Sequence, residues 1–140
     1  MATLLYLTQN AQNAFSFKRA VRPFAIFNIE EEMAVGGILP RLQEKAADAL
    51  VIDSAVLGMR TVQHIQLIRD ELRWFLQIPI IVIASQPISD QDEKALYDAG
   101  ANYVCKNFGA ELNSLMGLIQ SSINYTDILK KGNPYLMEKR

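Results

Sequence analysis

Short apolar runs alternate with longer amphipathic segments along the chain, and this alternation predicts an α/β fold. Ala49 to Ile52 is a continuous apolar run, preceded by Asp48 and followed by Asp53. Continuous hydrophobicity is typical of a parallel strand that is covered on both faces. The run therefore predicts a buried strand with Asp53 at its carboxyl end.

Four further runs are predicted as strands from their aliphatic, β-branched and aromatic residues. They are Thr3–Leu7, Phe24–Ile29, Ile78–Ile83 and Tyr103–Cys105. The segments between them predict helices, with Asn10 as one N-cap and Ser89 or Asp90 as another. The predicted helices are Ala11–Val21, a segment after Gly58, a segment that ends at Gly100, and Ala110–Tyr125.

The segment after the second strand allows two interpretations. Glu30 to Glu32 are predicted in the first turn of a helix, where the helix dipole favours acidic residues. Gly36, Gly37 and Pro40 then interrupt the pattern. The segment is either one bent helix or a loop followed by a helix from Pro40 to Ala47.

Five strands in alternation with helices predict a doubly wound, five-stranded parallel sheet in a three-layer sandwich. In such a sheet the carboxyl ends of the strands face one crevice, where ligands bind. The residues that follow strands one, three, four and five should meet there, and they are Thr8, Gln9, Asp53, Ala84 and Lys106. Asp53 is a nucleophile, a metal ligand or a helix cap, and Lys106 is its candidate partner.

Composition narrows the class of protein. The chain has 140 residues, half of them hydrophobic, which suits one soluble globular domain. A net charge of −1 argues against nucleic acid or an anionic membrane as partner. The single cysteine, Cys105, has no internal disulfide partner, and one cysteine with one histidine argues against structural zinc. With no signal peptide and no apolar run of roughly 18 residues, a cytoplasmic location is expected.

Three motifs in this order resemble the receiver domain of bacterial two-component response regulators. The family's phosphoacceptor strand and loop match Leu50 to Asp53 and Leu57-Gly58-Met59. Its turn before the fifth strand matches Ala99-Gly100-Ala101, and its aromatic-x-x-Lys-Pro-Phe motif matches Tyr103 to Phe108. The resemblance implies a flavodoxin-like, CheY-like fold, with a receiver-like domain over 1–125. Residues 126–140 would form a helix end, linker or tail.

Several pocket positions depart from the family's pattern. Thr8 and Gln9 are neutral where receivers usually carry two acidic residues that hold Mg²⁺. Ala84 stands where the family has a Thr or Ser, and the following Ser85 would point to the opposite face. Asn107 replaces the proline that follows the lysine. The resemblance thus implies Asp53 as the phosphoacceptor position and Lys106 beside it, in an altered pocket.

Two functions remain open. In the first, the chain is a pseudo-receiver without enzymatic activity, which acts through protein–protein contacts and pairs Asp53 directly with Lys106. In the second, a histidine kinase phosphorylates Asp53 with the help of Mg²⁺. No cofactor is expected in the first case, and a metal would otherwise use Asp53 and the backbone near Ala55. A nucleotide-binding enzyme is disfavoured, because no glycine-rich phosphate loop follows the first strand.

The resemblance also implies a contact surface. Receivers commonly bind partners through the fourth helix, fifth strand and fifth helix, and Tyr103 matches the family's switch aromatic. The corresponding surface residues are Tyr97, Tyr103, Phe108 and Leu112. The expected partners are a histidine kinase or a downstream effector, with a homodimer expected to use the same face.

Overall fold

The computed structural model describes residues 2–44, 47–53, 60–72, 78–84 and 86–132. The strands are β1 Ala2–Leu7, β2 Phe27–Glu32, β3 Ala49–Asp53, β4 Ile80–Ile83 and β5 Tyr103–Cys105. The α-helices are α1 Ala11–Val21, α2 Ile38–Gln43, α3 Arg60–Leu72, α4 Asp90–Ala99 and α5 Phe108–Gly132.

The five strands form one parallel sheet in the order β2-β1-β3-β4-β5. Helices cover both faces, because alternate residues of each strand point to opposite sides. Leu5 and Leu7 pack with residues of α2, α3 and α4, whereas Leu4 and Tyr6 pack with residues of α1 and α5. All described residues of β3 and β4 are buried. The predicted doubly wound sandwich is therefore confirmed.

The second strand lies three residues later than predicted. Arg22–Phe24 forms a 3₁₀ turn, and Ala25 has a left-handed φ of 54°, so β2 begins only at Phe27. Glu30–Glu32 consequently belong to a strand, and the prediction that they open a helix is wrong. Strand β2 lies at the edge of the sheet, where charged side chains reach solvent and discourage edge-to-edge pairing.

Basic side chains form ion pairs with the three glutamates of β2. Lys18 Nζ lies 3.3 Å from a Glu31 carboxylate oxygen. Arg41 bridges Glu30 and Glu32, with 3.2 Å between its Nη1 and Glu32 Oε1. These pairs are partly exposed, so they fix the position of the strand edge more than they add to stability.

Helix α2 matches neither predicted alternative. A 3₁₀ turn over Val35–Gly37 leads directly into a helix over Ile38–Gln43. Pro40 is the third residue of this helix, within the first turn, where a missing N–H removes no intrahelical hydrogen bond. Proline therefore does not mark the helix start here.

Helix α5 is longer than predicted at both ends. It begins at Phe108 and continues to Gly132. The segment from Thr126, predicted as a helix end, linker or tail, is helical as far as Gly132. The division of the chain at residue 125 stays a prediction.

The turn before β5 depends on a partly buried arginine of α3. Arg69 donates from Nε and Nη2 to the Gly100 carbonyl, at 3.1 and 2.9 Å, and from Nη2 to Asn102 Oδ1 at 2.7 Å. Gly100 has a φ of 125°, and a Cβ there would lie 2.6 Å from Arg69 Cγ. Glycine is thus required by both the backbone and the close approach.

None of the helices in the described ranges has the length and hydrophobicity needed to cross a bilayer.

Candidate functional site

The carboxyl edge of the sheet brings together most of the predicted site residues. Asp53 ends β3, and Lys106 directly follows β5. Both line a cavity of about 320 Å³, together with Ala84 and Asn107. Thr8 is buried beside Asp53, whereas Gln9 is exposed to solvent.

Neutral donors hold the Asp53 carboxylate. The side chain is 1% exposed, and its Oδ2 accepts hydrogen bonds from Thr8 Oγ1 at 2.9 Å and Asn13 Nδ2 at 2.7 Å. A buried carboxylate needs such partners, because its desolvation is otherwise very costly. Helix α1 and the end of β1 therefore supply part of the stabilisation of this charge.

The N-cap of α1 explains why Asn13 reaches Asp53. Asn10 Oδ1 accepts the Asn13 N–H at 3.1 Å, and the Asn10 N–H donates to Thr8 Oγ1 at 3.2 Å. This capping fixes Asn13 in the first helical turn, close to the end of β3. Sequence reasoning identified Asn10 as the cap but missed Asn13, although its spacing of three residues from the cap was a usable signal.

Lys106 has a different partner from the one predicted. Its Nζ donates to Glu93 Oε1 of α4 at 3.0 Å, and this hydrogen bond raises the pKa of Lys106. The direct Asp53–Lys106 salt bridge predicted from the sequence is therefore wrong. The Lys106 side chain is 54% exposed, so pairing with Glu93 keeps the ammonium in water and avoids the desolvation of a buried ion pair.

Ala84 is a buried backbone link between two strands. Its N–H donates to the Cys105 carbonyl at 2.9 Å, and its methyl group offers no hydrogen bond to the cavity. The predictions about Ala55, Ser85 and the loop Leu57 to Met59 lie outside the described residues.

Asn107 caps helix α5. Its Oδ1 accepts the Ala110 N–H at 3.2 Å, and its own N–H donates to Glu111 Oε2 at 2.8 Å. This reciprocal arrangement resembles a capping box displaced by one residue. Proline at position 107 could not make the second bond, because it has no N–H. The departure at 107 therefore has a local structural function.

Glu111 also holds the aromatic residue of β5. The Tyr103 hydroxyl donates to Glu111 Oε1. This bond raises the pKa of Tyr103 to about 12 and lowers the pKa of Glu111. Tyr103 is therefore fastened to α5 by a charge-assisted hydrogen bond rather than left to change rotamer.

The predicted contact surface is only partly exposed. Tyr97 is 37% exposed, and its hydroxyl accepts the Val104 N–H at 3.1 Å on the free edge of β5. Tyr103, Phe108 and Leu112 are half-buried and pack against the core on the α1 and α5 side. Tyr97 is thus the most exposed of the three aromatic residues.

Tyr6 is a further cavity residue that the sequence did not reveal. Its ring stacks on Phe17, with 4.2 Å between centroids and 4° between planes. The side chain is 3% exposed, and burial, reinforced by the nearby Asp53 charge, raises its pKa far above the ordinary value. The phenol is therefore protonated across the physiological range. An apolar run such as Thr3–Leu7 gives no sign that one of its members carries a polar group to the site.

Solved structures of receiver domains share this architecture. The signal receiver domain of a putative LuxO repressor protein from Vibrio parahaemolyticus has a TM-score of 0.75 at 13% identity, covering 92% of this chain and 97% of its own. A two-component response regulator from Clostridium difficile has a TM-score of 0.70 at 12% identity, covering 89% and 99%. This chain has the receiver-domain fold.

A third structure bears on the metal. The receiver domain of the sensor histidine kinase PA1611 from Pseudomonas aeruginosa PAO1 has a TM-score of 0.68 at 17% identity, covering 88% of this chain and 98% of its own. That protein coordinates a magnesium ion in its active-site cleft. No family model matches this chain, and a search of curated proteins finds no similar sequence.

Removing the donors to Asp53 should destabilise the fold. Thr8→Val and Asn13→Ala are each expected to lower the free energy of unfolding by about 1–3 kcal/mol, because each leaves a buried carboxylate short of a hydrogen bond. In an Asp53→Asn background the same changes should cost less, since no charge remains to be stabilised. Urea unfolding measures these values, with Asn113→Ala on the exposed side of α5 as control. Equal costs in both backgrounds would show that the donors do not act through Asp53.

Glu111 should make stability depend on pH in the acid range. Its folded pKa is lowered, so its contribution is complete above the unfolded value of about 4.3 and is lost as the pH falls through the folded value. Glu111→Gln is expected to cost about 1 kcal/mol at pH 7. The difference in melting temperature from wild type should shrink below pH 4. Glu71→Gln, on the exposed side of α3, is the control, and a constant difference down to pH 2 would contradict the assignment.

Proposed function

We propose that this chain is a receiver-like signalling domain that acts mainly through protein–protein contacts rather than through phosphorylation of Asp53. The observation that carries the proposal is the pair of hydrogen bonds from Thr8 and Asn13 to Asp53 Oδ2. Neutral donors from this chain occupy an oxygen of the carboxylate that the family uses as its phosphoacceptor. The domain then has no catalytic activity of its own.

The described residues do not fit a Mg²⁺ site. Mg²⁺ takes hard oxygen ligands in octahedral geometry, usually with one or two carboxylates. In the ranges that the structure describes, no three Asp, Glu, His or Cys side chains come together around a point that could hold a metal. Thr8 directs its hydroxyl proton to Asp53, and Gln9 faces solvent.

The ammonium group of Lys106 is also placed unfavourably for phosphoryl transfer to Asp53. Catalysis of this reaction relies on cations that neutralise the transferring oxygens. Lys106 donates to Glu93, so it would have to break this pair before it could meet a phosphoryl group on Asp53. Ala84 adds no hydroxyl donor at the end of β4. These features favour a pseudo-receiver over a working phosphoacceptor.

The alternative is a functioning response regulator, phosphorylated on Asp53 by a histidine kinase. Its support is that Asp53 and Lys106 line the same cavity at the carboxyl edge of the sheet. In both cases we propose a cytoplasmic signalling protein whose partners are a histidine kinase or a downstream effector.

Acetyl phosphate with millimolar Mg²⁺ is expected to leave the chain unmodified, and beryllofluoride should leave its amide spectrum unchanged. Intact-mass spectrometry and ¹H–¹⁵N spectra provide the measurements. A Thr8→Asp, Gln9→Asp double variant restores the acidic pair and should gain Mg²⁺-dependent shifts around Asp53, which shows that the assay detects a competent site. Stoichiometric phosphorylation of wild type, absent from Asp53→Asn, would establish the alternative instead.

We also propose that any homodimer forms through α4, β5 and the start of α5. Tyr97 provides exposed aromatic area there, and the exposed Lys94–Asp98 pair provides charge beside it. Asp98→Lys should weaken self-association at least tenfold in sedimentation experiments, whereas Asp70→Lys on α3 should not. Loss of association on Phe15→Ala, in α1, with no effect of Asp98→Lys would place the interface on α1 and contradict the proposal.

A further inference from the structure

The outer edge of β2 directs part of its main chain away from the sheet. Strand β2 stands at one end of the strand order and pairs with β1. The Glu32 carbonyl accepts the Thr8 N–H at 3.1 Å, so the main-chain groups of Glu32 face β1. Because these groups alternate in direction along a strand, those of Phe27, Ile29 and Glu31 face outward. Outward N–H and C=O groups are a template for a further strand.

Arg41 covers the acidic end of this edge. Its Nη1 donates to the Glu31 carbonyl at 2.9 Å, and its guanidinium also pairs with Glu30 and Glu32. From the α1 side, Lys18 pairs with the Glu31 carboxylate at 3.3 Å. Side chains of the chain itself therefore occupy this half of the edge. A second copy of β2 would have to displace Arg41 before it could pair there.

The other half of the edge borders a groove on the α1 side. The groove has a volume of about 470 Å³, and Val21, Phe27 and Ile29 give it an apolar floor. Among the residues that the structure describes, none makes a hydrogen bond to the outward main-chain groups of Phe27 or Ile29. An added strand would satisfy these groups and would place every second side chain over the floor.

One end of the groove carries a positive charge. Arg22 lines the groove at the C-terminal cap of α1 and is exposed to solvent. Lys18, the other basic residue of the lining, is paired with Glu31, whereas Arg22 forms no ion pair with a carboxylate of the described ranges. Arginine binds carboxylates through two parallel hydrogen bonds. An acidic residue at one end of an added strand therefore complements the groove.

We propose that the Phe27–Ile29 edge of β2 docks an extended segment of a partner protein. The segment carries an acidic residue for Arg22 and, on the same face, an apolar residue for the floor of the groove. Main-chain hydrogen bonds to Phe27 and Ile29 hold the segment, and the acidic side chain selects it. The inference goes beyond the proposed function, because β2 and β5 are opposite edges of the sheet and strand addition does not involve Asp53.

Short peptides test the proposal. Glu-Thr-Val-Thr-Val and its reverse, Val-Thr-Val-Thr-Glu, both acetylated and amidated, allow either direction of the added strand. Titration of the ¹⁵N-labelled chain should give saturable shifts at Phe27 and Ile29 with at least one of them. Lysine in place of glutamate should weaken binding at least tenfold. N-methylation of the valine amides and of the threonine amides should differ in effect at least tenfold, because only one set faces β2.

Variants of the chain provide a second test. Arg22→Gln should remove the preference for the glutamate peptide over the lysine peptide. Arg19→Gln, which changes an exposed arginine of the same helix outside the groove, should leave this preference unchanged. Amide hydrogen exchange gives an independent measurement. Bound peptide should slow exchange at Phe27 and Ile29 at least tenfold, with little change at Asn28, because the Asn28 N–H already faces β1.

The outcomes separate this inference from the proposed function. Absence of saturable shifts with both peptides, equal binding of the glutamate and lysine peptides, or an unchanged preference in a folded Arg22→Gln variant would overturn the inference. Concentration-dependent protection of Phe27 and Ile29 without peptide would assign the edge to a second copy and overturn it as well. Peptide binding by a chain that acetyl phosphate also phosphorylates on Asp53 would support the inference and overturn the proposed function.

Discussion

The buried carboxylate of Asp53 constrains the whole carboxyl edge of the sheet. Strand β3 is covered on both faces, so its last side chain is held away from water and must find donors within the protein. Thr8 and Asn13 are two of these donors, and the N-cap residue Asn10 is hydrogen-bonded to both of them. One charge thereby ties β3, the end of β1 and the start of α1 into a single hydrogen-bonded unit.

This hydrogen-bonded unit determines which groups surround the Asp53 carboxylate in the pocket. A receiver fold that uses phosphorylation needs cations around the acceptor carboxylate, because the transferring group carries negative charge. Here the described donors to Asp53 are neutral, and Lys106 pairs with Glu93 at the solvent boundary. The same fold can therefore hold a buried carboxylate whose Oδ2 accepts hydrogen bonds from two neutral side chains.

A second hydrogen-bonded unit lies at the junction of β5 and α5. Asn107 and Glu111 cap the helix, and the same glutamate accepts the hydroxyl proton of Tyr103. At the outer edge of β5, the Tyr97 hydroxyl accepts a hydrogen bond from the Val104 N–H. Fixing these groups stiffens the surface that we propose for protein contacts. Partners would then recognise a preformed face rather than one selected by a phosphorylation-dependent rotamer.

The residue pattern by itself determined the class of fold, the positions of β3, β4 and β5, and the edge to which Asp53 and Lys106 belong. Burial on both faces requires continuous hydrophobicity, and caps require particular side chains, so these features are encoded locally. The end of β2 was not predicted, because Glu30–Glu32 suit an exposed edge strand as well as a helix start. Its start was not predicted, because Arg22–Phe24 forms a 3₁₀ turn. The sequence pattern also predicted a shorter helix α5 than the structure shows.

Only the tertiary structure decided which side chains pair. The sequence placed Asp53 and Lys106 at the same edge of the sheet. In the structure, the Asp53 carboxylate accepts hydrogen bonds from Thr8 and Asn13. The Lys106 ammonium donates its hydrogen bond to Glu93. A choice among several partners depends on distances and burial set by the packing of distant segments, and on desolvation costs that differ by several kcal/mol between buried and exposed pairs. The position of Tyr6 in the wall of the cavity beside Asp53 was hidden for the same reason.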